Sequence, residues 1–313
     1  MKSLLFTSLA TATLVCAFTA PLSAQAPATP AATPAKPKVP WKRIMPSTPA
    51  GFTLVTKDVA VYPEHTVTLT LYVPEKAGKY PAVMDIHGGG WKDRQVEQDK
   101  PMMERLATHG FVTGIVAYRL SGEAKYPAAI NDCKAAVRYL RAHAEELKID
   151  PERIGIMGGS AGGHLTGLMA MTNGLPEYEG DGPNREQSSA VKAAIVMAGS
   201  QDLVAANKDK SNPGAVAFFG ATYQEKPEIY EQASPLQHVR AGAPPTIFIE
   251  GERDTLKIGR AEMQEKLGAL GIETELHTLK DAPHPFWMSQ PWCDEVVDIA
   301  SAFFKKHLGE PKF

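Results

Sequence analysis

The sequence predicts an α/β fold in which helices cover both faces of a mostly parallel central sheet, with an antiparallel hairpin at its N-terminal edge. Two patterns carry this expectation. Compact apolar runs of β type at 82–86, 112–117, 154–157, 193–197 and 246–250 alternate with longer stretches of helical periodicity at 98–109, 128–146, 161–171, 260–270 and 294–307. These runs lack polar alternation, as parallel strands buried on both faces should. Upstream, 53–62 and 66–73 do alternate, around Pro63-Glu64-His65, which reads as a hairpin. A final strand is expected at 274–278. The repeating βα order is that of a doubly wound sheet, where functional groups gather at strand C-terminal ends and helix N-termini.

The chain ahead of this domain has a different character. Lys2 precedes an apolar run over 4–18, and Ala24-Gln25-Ala26 offers a small-x-small cleavage site, so residues 1–26 read as a signal peptide and a secreted or periplasmic protein is expected. The run is too short for a bilayer span of about 20 residues, so no stable membrane insertion is expected. Residues 27–46 are Ala, Pro and Thr with a few lysines and read as a flexible linker, leaving 47–313 as one domain. Formal charge is −2 over 313 residues, and Lys2 is the single charged residue in 1–26, so its removal leaves −3. That balance offers no footprint for nucleic acid and no basic membrane patch. Of three cysteines, Cys16 lies in the signal, and Cys133 and Cys293 are expected as buried free thiols.

The loops that follow the predicted strands carry the chemistry. After 154–157 comes Gly158-Gly159-Ser160-Ala161-Gly162-Gly163-His164, the G-x-S-x-G pattern in a strand, turn, helix setting. Small residues flank a serine there because a sharp turn must push its hydroxyl alone into the crevice. After 82–86 comes His87-Gly88-Gly89-Gly90-Trp91, where glycines let the main chain approach a substrate carbonyl. The N–H groups of Gly89, Gly90 and Ala161 are the candidate donors to an oxyanion, each worth about 2.7–4 kcal/mol of barrier stabilisation. Asp254 ends the strand at 246–250 and His284 lies in the loop after the last strand, giving the chain order Ser, Asp, His. His284 is the expected base and Asp254 its orienting acid, with Asp202, Asp281 and Glu252 as alternatives for the acid. His87 and His164 read as packed core histidines, His277 lies within a strand and His307 ends a helix. Trp91 and Trp287 are candidate substrate contacts, while Phe286 and Trp292 fit packing as well as binding. No His, Asp or Cys group has metal-ligand spacing, and neither metal nor cofactor is expected.

These motifs resemble the hormone-sensitive-lipase-like esterases of the α/β-hydrolase superfamily, in particular bacterial carboxylesterases similar to feruloyl esterases and acetylxylan esterases. The resemblance extends through Phe219-Gly220, Ala233-Ser234-Pro235 and Pro244-Pro245-Thr246, and departs from the pattern at Glu250, where relatives commonly carry His. It implies a cofactor-free α/β-hydrolase catalytic domain acting through an acyl-enzyme on a small ester or an acylated polysaccharide, with acetyl or feruloyl groups of plant cell walls as the natural class. An arylformamidase, a general short-chain esterase or lipase, and a dipeptidyl-peptidase-like amidase are the enzymatic alternatives, and a binding module that has lost catalysis is the non-enzymatic one. Two insertions, 173–189 and 200–242, are expected to shape the pocket, the second as a small cap.

Overall fold

A computed structural model describes residues 42–312. The signal peptide reading lies outside the described residues, as does most of the linker. The linker's last residues are described, and they are ordered sooner than expected: β1 (Lys42–Arg43) pairs antiparallel with β10 (Ser289–Gln290). Polar side chains and prolines gave no sign of this pairing, because two residues contribute backbone hydrogen bonds and almost no apolar burial.

The main sheet has eight strands in the order β2-β3-β5-β4-β6-β7-β8-β9. It opens with the expected hairpin, β2 (Phe52–Val61) against β3 (Thr66–Pro74), closed by Val61 opposite Thr66 and twisted by an irregularity between Asp58 and Ala60. β3 also runs antiparallel to β5 (Val112–Ala117). All remaining pairs are parallel: β4 (Tyr80–Ile86), β5, β6 (Ile149–Gly159), β7 (Ala193–Met197), β8 (Thr246–Gly251) and β9 (Leu276–Leu279). β6 starts before its apolar run, because Asp150, Pro151 and Glu152 occupy the open end of the sheet, where polar side chains can stay wet.

Alternate residues of the central strands feed two cores. Val83, Ile115, Met157, Ile195 and Ile249 face α1 (Val96–Ala107) and α8 (Trp292–Leu308), packing on Met103, Leu106, Val296 and Phe304. Met84, Ile156, Val196 and Phe248 face α2 (Ala128–Ala142), α3 (Ala161–Met171) and α7 (Arg260–Ala269). Covering both faces explains why the strands read as unbroken apolar runs. Cys133 and Cys293 fall in different cores, buried and unpaired.

The chain moves outward from β4 to β5 and then returns to place β6 on the other side of β4. This reversal is the switch point at which doubly wound sheets open a crevice. Ile86 pairs with Gly158, so the loops leaving β4 and β6 emerge side by side. The long β7 to β8 connection carries α4 (Leu203–Asn207), α5 (Pro213–Phe219) and α6 (Pro227–Gln232), the small cap expected at 200–242.

The other insertion, 173–189, does not border the cavity beside Ser160, contrary to expectation. It is tied to α2 by buried charge. Glu179 accepts from Lys134 Nζ at 3.2 Å and Arg138 Nη1 at 2.9 Å, and Arg141 bonds the carbonyls of Ser188 and Ala190. Lys134 and Arg138 are almost fully buried, so Glu179 is their neutralising partner and stands away from the cavity beside Ser160.

Candidate active site

Ser160 sits between β6 and α3 with φ 59° and ψ −119°, a backbone state that costs a non-glycine residue about 1–3 kcal/mol. The turn holds because its surroundings leave no alternative. The Ser160 N–H donates to Met197 O at 2.9 Å, and the His164 N–H to Ser160 O at 3.0 Å. A Cβ on Gly162 would lie 1.7 Å from the Ile86 carbonyl oxygen, so only glycine lets α3 start this close to β4.

The three residues expected to act together do meet. His284 Nε2 lies 3.0 Å from Ser160 Oγ, and His284 Nδ1 lies 2.7 Å from Asp254 Oδ2. Asp254 is 4 % exposed, and its other oxygen accepts from the Leu256 N–H at 2.9 Å. Burial pushes its carboxyl up, but the His284 and Leu256 hydrogen bonds outweigh burial and hold it below its ordinary value. An ionised Asp254 fixes the imidazole with Nδ1–H inward and Nε2 free to accept from the serine.

The alternative acids are occupied elsewhere. Asp202 caps α4, accepting from the Ala205 N–H at 2.9 Å. Asp281 pairs with Arg253 at 2.6 Å, and Glu252 accepts from the Asp281 N–H. Glu250 forms an ion pair with Arg260 Nε at 2.8 Å that anchors the start of α7.

The loop after β4 is held from several sides. Gly89 has φ +106°, and a Cβ there would lie 2.0 Å from the Asp93 carbonyl oxygen. The His87 carbonyl accepts from Tyr118 Oη at 3.0 Å, Trp91 O from the Ser121 N–H at 2.7 Å, and Arg94 bonds Glu123 at 2.7 Å. Gly90 and Ala161 border the same cavity of about 320 Å³ as Ser160, whereas Gly89 sits one residue back in the turn. Ala161 opens α3, so its N–H has no acceptor within the helix.

His87 and His164 are the packed residues that their positions suggested. His87 Nδ1–H donates to Gly88 O at 2.7 Å and its ring stacks on Tyr118; the longer 3.4 Å approach of the Gln95 N–H to the same nitrogen is not a second bond, since a protonated nitrogen cannot accept. His164 Nε2–H donates to Ala233 O at 2.7 Å. Burial lowers both histidines to about 4, so both stay neutral.

The tryptophans divide. Trp91 borders the cavity and stacks on Phe218 at 4.8 Å between ring centres. Trp287 does not line that cavity, which corrects the expectation of a substrate contact: it is 1 % exposed, edge-on to His284 at 5.3 Å, and fills the space where a Gly159 side chain would be. Its Nε1–H donates to Asp99 Oδ1 at 3.0 Å. Phe286 and Trp292 are buried as well, and Trp292 Nε1–H donates to Lys280 O.

Asp99 belongs to a pair that the motifs did not reveal. Asp85, within β4, and Asp99, on α1, are both fully buried, and among the described residues neither Asp85 oxygen meets an N–H or O–H donor. Burial, then the facing Asp99 charge, raises Asp85 well above the ordinary carboxylate range, and burial pushes Asp99 up to about 7. Two neighbouring buried carboxyls resist ionising together, and Asp85 is the one raised further. Asp99 also anchors the tryptophan beneath His284 to α1. The single sequence signal was an aspartate inside the otherwise apolar run 82–86.

Strand order, switch point and the Ser160, His284, Asp254 chain together define an α/β-hydrolase fold with Ser160 at the sharp turn between β6 and α3. A profile of the BD-FAE family matches residues 69–260, and the chain belongs to that family. It is 31% identical over 248 residues to esterase LipQ of Mycobacterium tuberculosis, covering 74% of this chain and 58% of LipQ. The chain spans about half the length of the curated relatives it matches. Among solved structures, it is similar to esterase Est2 of Thermogutta terrifontis, with a TM-score of 0.68 and 26% identity over 82% of this chain and 92% of that one. Est2 has also been solved with propionate bound, with butyrate bound and phosphorylated by paraoxon. A truncated carbohydrate esterase from gut microbiota shares the fold, with a TM-score of 0.72 at 23% identity, covering 84% of this chain and 100% of that one.

Proposed function

We propose that this protein is a serine carboxylesterase that removes short acyl groups, acetyl foremost, from plant cell-wall polysaccharide outside the cytoplasm. The observation that carries the reading is the continuous hydrogen-bond chain from Asp254 through His284 to Ser160. Ser160 Oγ attacks the ester carbonyl as His284 Nε2 takes its proton. The carbonyl oxygen becomes an oxyanion facing the N–H groups of Gly89, Gly90 and Ala161. His284 then gives the proton to the departing alcohol oxygen, and the C–O bond breaks. Water, activated by His284, hydrolyses the acyl-enzyme and restores the serine.

Support for a short acyl group comes from the cavity beside Ser160, bounded by Trp91, Leu203, Ala206 and Ala215, and from the propionate and butyrate bound to Est2. Support for a carbohydrate alcohol comes from the polar surroundings of His284 and from the export pattern in residues 1–26. The test is hydrolysis of p-nitrophenyl esters of rising acyl length together with acetylated and feruloylated xylan. Rates should be highest at two to four carbons, and acetate rather than ferulate should be released. A preference for long chains or for ferulate would replace the substrate reading, and undiminished turnover in Ser160→Ala would remove the mechanism.

A further inference from the structure

Two cavities adjoin the catalytic pair, one bordered by Ser160 and the other by His284. The first, bounded by Ser160, Gly90 and Ala161, holds the attacking oxygen and the oxyanion donors. The second, about 360 Å³, is bounded by His284 but not by Ser160. An ester's two halves must part between these groups: the acyl carbon stays on Ser160 while the alcohol oxygen leaves with the proton from His284 Nε2. The cavity bordered by His284 is the candidate for the alcohol.

Its walls differ from those of the first. Gln95 and Gln98 come from the start of α1, Ser289 from β10, and Arg43 from β1. Among the described residues no carboxylate borders it, and Arg43 is the lysine-or-arginine side chain on its rim. Arg43 is held there by backbone pairing: it lies opposite Ser289, and the next residue's N–H, that of Ile44, donates to Met288 O. β10 follows the His284 loop within a few residues, so the chain's first described strand carries a guanidinium to the rim of the leaving-group cavity. Gln95 reaches toward the reacting centre as well: its Oε1 and the Ser160 Cβ both lie within 3.4 Å of the point where a Gly88 side chain would begin.

We propose that this cavity is a subsite for an alcohol moiety that carries a carboxylate, such as a uronic acid unit, with Arg43 pairing to the carboxylate while Gln95 and Gln98 bond the ring hydroxyls. The proposal rests on the esterase reading above and adds the charge of the alcohol. A guanidinium can hold a carboxylate through two parallel N–H···O bonds, which a neutral sugar cannot return. The carboxylate comes with the substrate, so the free enzyme leaves Arg43 in water and loses nothing by desolvation.

The experiment compares acetate release from acetylated glucuronate and from acetylated glucose, a pair that differs at the C6 group, with p-nitrophenyl acetate assayed alongside. At low ionic strength the glucuronate ester should have a kcat/KM higher by about tenfold, the factor of one charge-assisted hydrogen bond. The difference should reside in KM and shrink as salt is added. Arg43→Gln should bring the two sugar esters close to equality, and Arg43→Glu should reverse their order. Equal rates on the two esters in the native protein, or a ratio unmoved by Arg43→Gln, would overturn the subsite while leaving the esterase intact. Loss of activity on all three esters in the native protein would instead overturn the esterase reading and the subsite with it.

Discussion

At the scale of single residues, the site is a set of hydrogen bonds whose donors and acceptors are assigned by their neighbours. Asp254 is ionised because the hydrogen bonds it receives outweigh its burial, and that charge selects the tautomer of His284. Asp254→Asn should therefore lower turnover on the order of 10⁴-fold by presenting the wrong tautomer, whereas Asp202→Asn keeps a side-chain oxygen to cap α4 and should leave turnover and stability nearly unchanged. Steady-state kinetics and urea titration on the two variants separate these outcomes, and the reverse ranking would reassign the acid. That Ser160, Asp254 and His284 would meet was legible in the sequence because each follows a strand in a fixed order. Trp287 was misread for a physical reason: proximity in sequence to a catalytic loop says nothing about which way a side chain turns. The indole faces inward because Gly159 leaves room for it and Asp99 accepts its N–H.

At the scale of elements, the central strands were legible because burial on both faces leaves an uninterrupted apolar signal. β7 and α3 fall where the pattern placed them, over Ala193–Met197 and Ala161–Met171. The polar half of β6 and the β1 to β10 pair were not legible, since their stability lies in backbone hydrogen bonds rather than in apolar side chains. The insertion at 173–189 was misassigned to the pocket because its acidic composition resembles an exposed loop. Its Glu179 instead neutralises two buried cations on α2. Glu179→Ala would leave Lys134 and Arg138 without that partner and should destabilise the fold by about 3–5 kcal/mol while altering kcat little. Chemical denaturation measures the first and p-nitrophenyl acetate turnover the second. A loss of stability under 1 kcal/mol would mean that water reaches these cations.

At the scale of the whole molecule, four buried groups near the switch point set opposing responses to pH. His87 and His164 are held down to about 4 against an ordinary 6.5, so the unfolded chain binds protons that the fold refuses. Their contribution is present above 6.5 and is lost as pH falls toward 4, on the order of 3 kcal/mol each at the acid end. Asp85 and Asp99 have raised values, so the fold retains protons that the unfolded chain releases. Their contribution is complete below the ordinary carboxylate value near 3.8 and is lost as pH rises through about 7. Between about 4 and 6.5 the two pairs offset each other. Asp99→Asn removes one of the two raised carboxyls and the charge facing the other, so its urea midpoint should fall on acidification from pH 6.5 to 4.5 more steeply than that of the native protein, and should fall less between pH 6.5 and 8. Identical pH profiles would refute the raised state of Asp99. The same switch point places the glycine loop and the elbow serine side by side, and the central claim is that this serine is the nucleophile. Intact-mass and peptide analysis after treatment with paraoxon tests it most directly: the prediction is one diethylphosphoryl group, on Ser160, with loss of ester hydrolysis in proportion, and the contradiction would be modification of another residue or hydrolysis that persists in the fully modified protein.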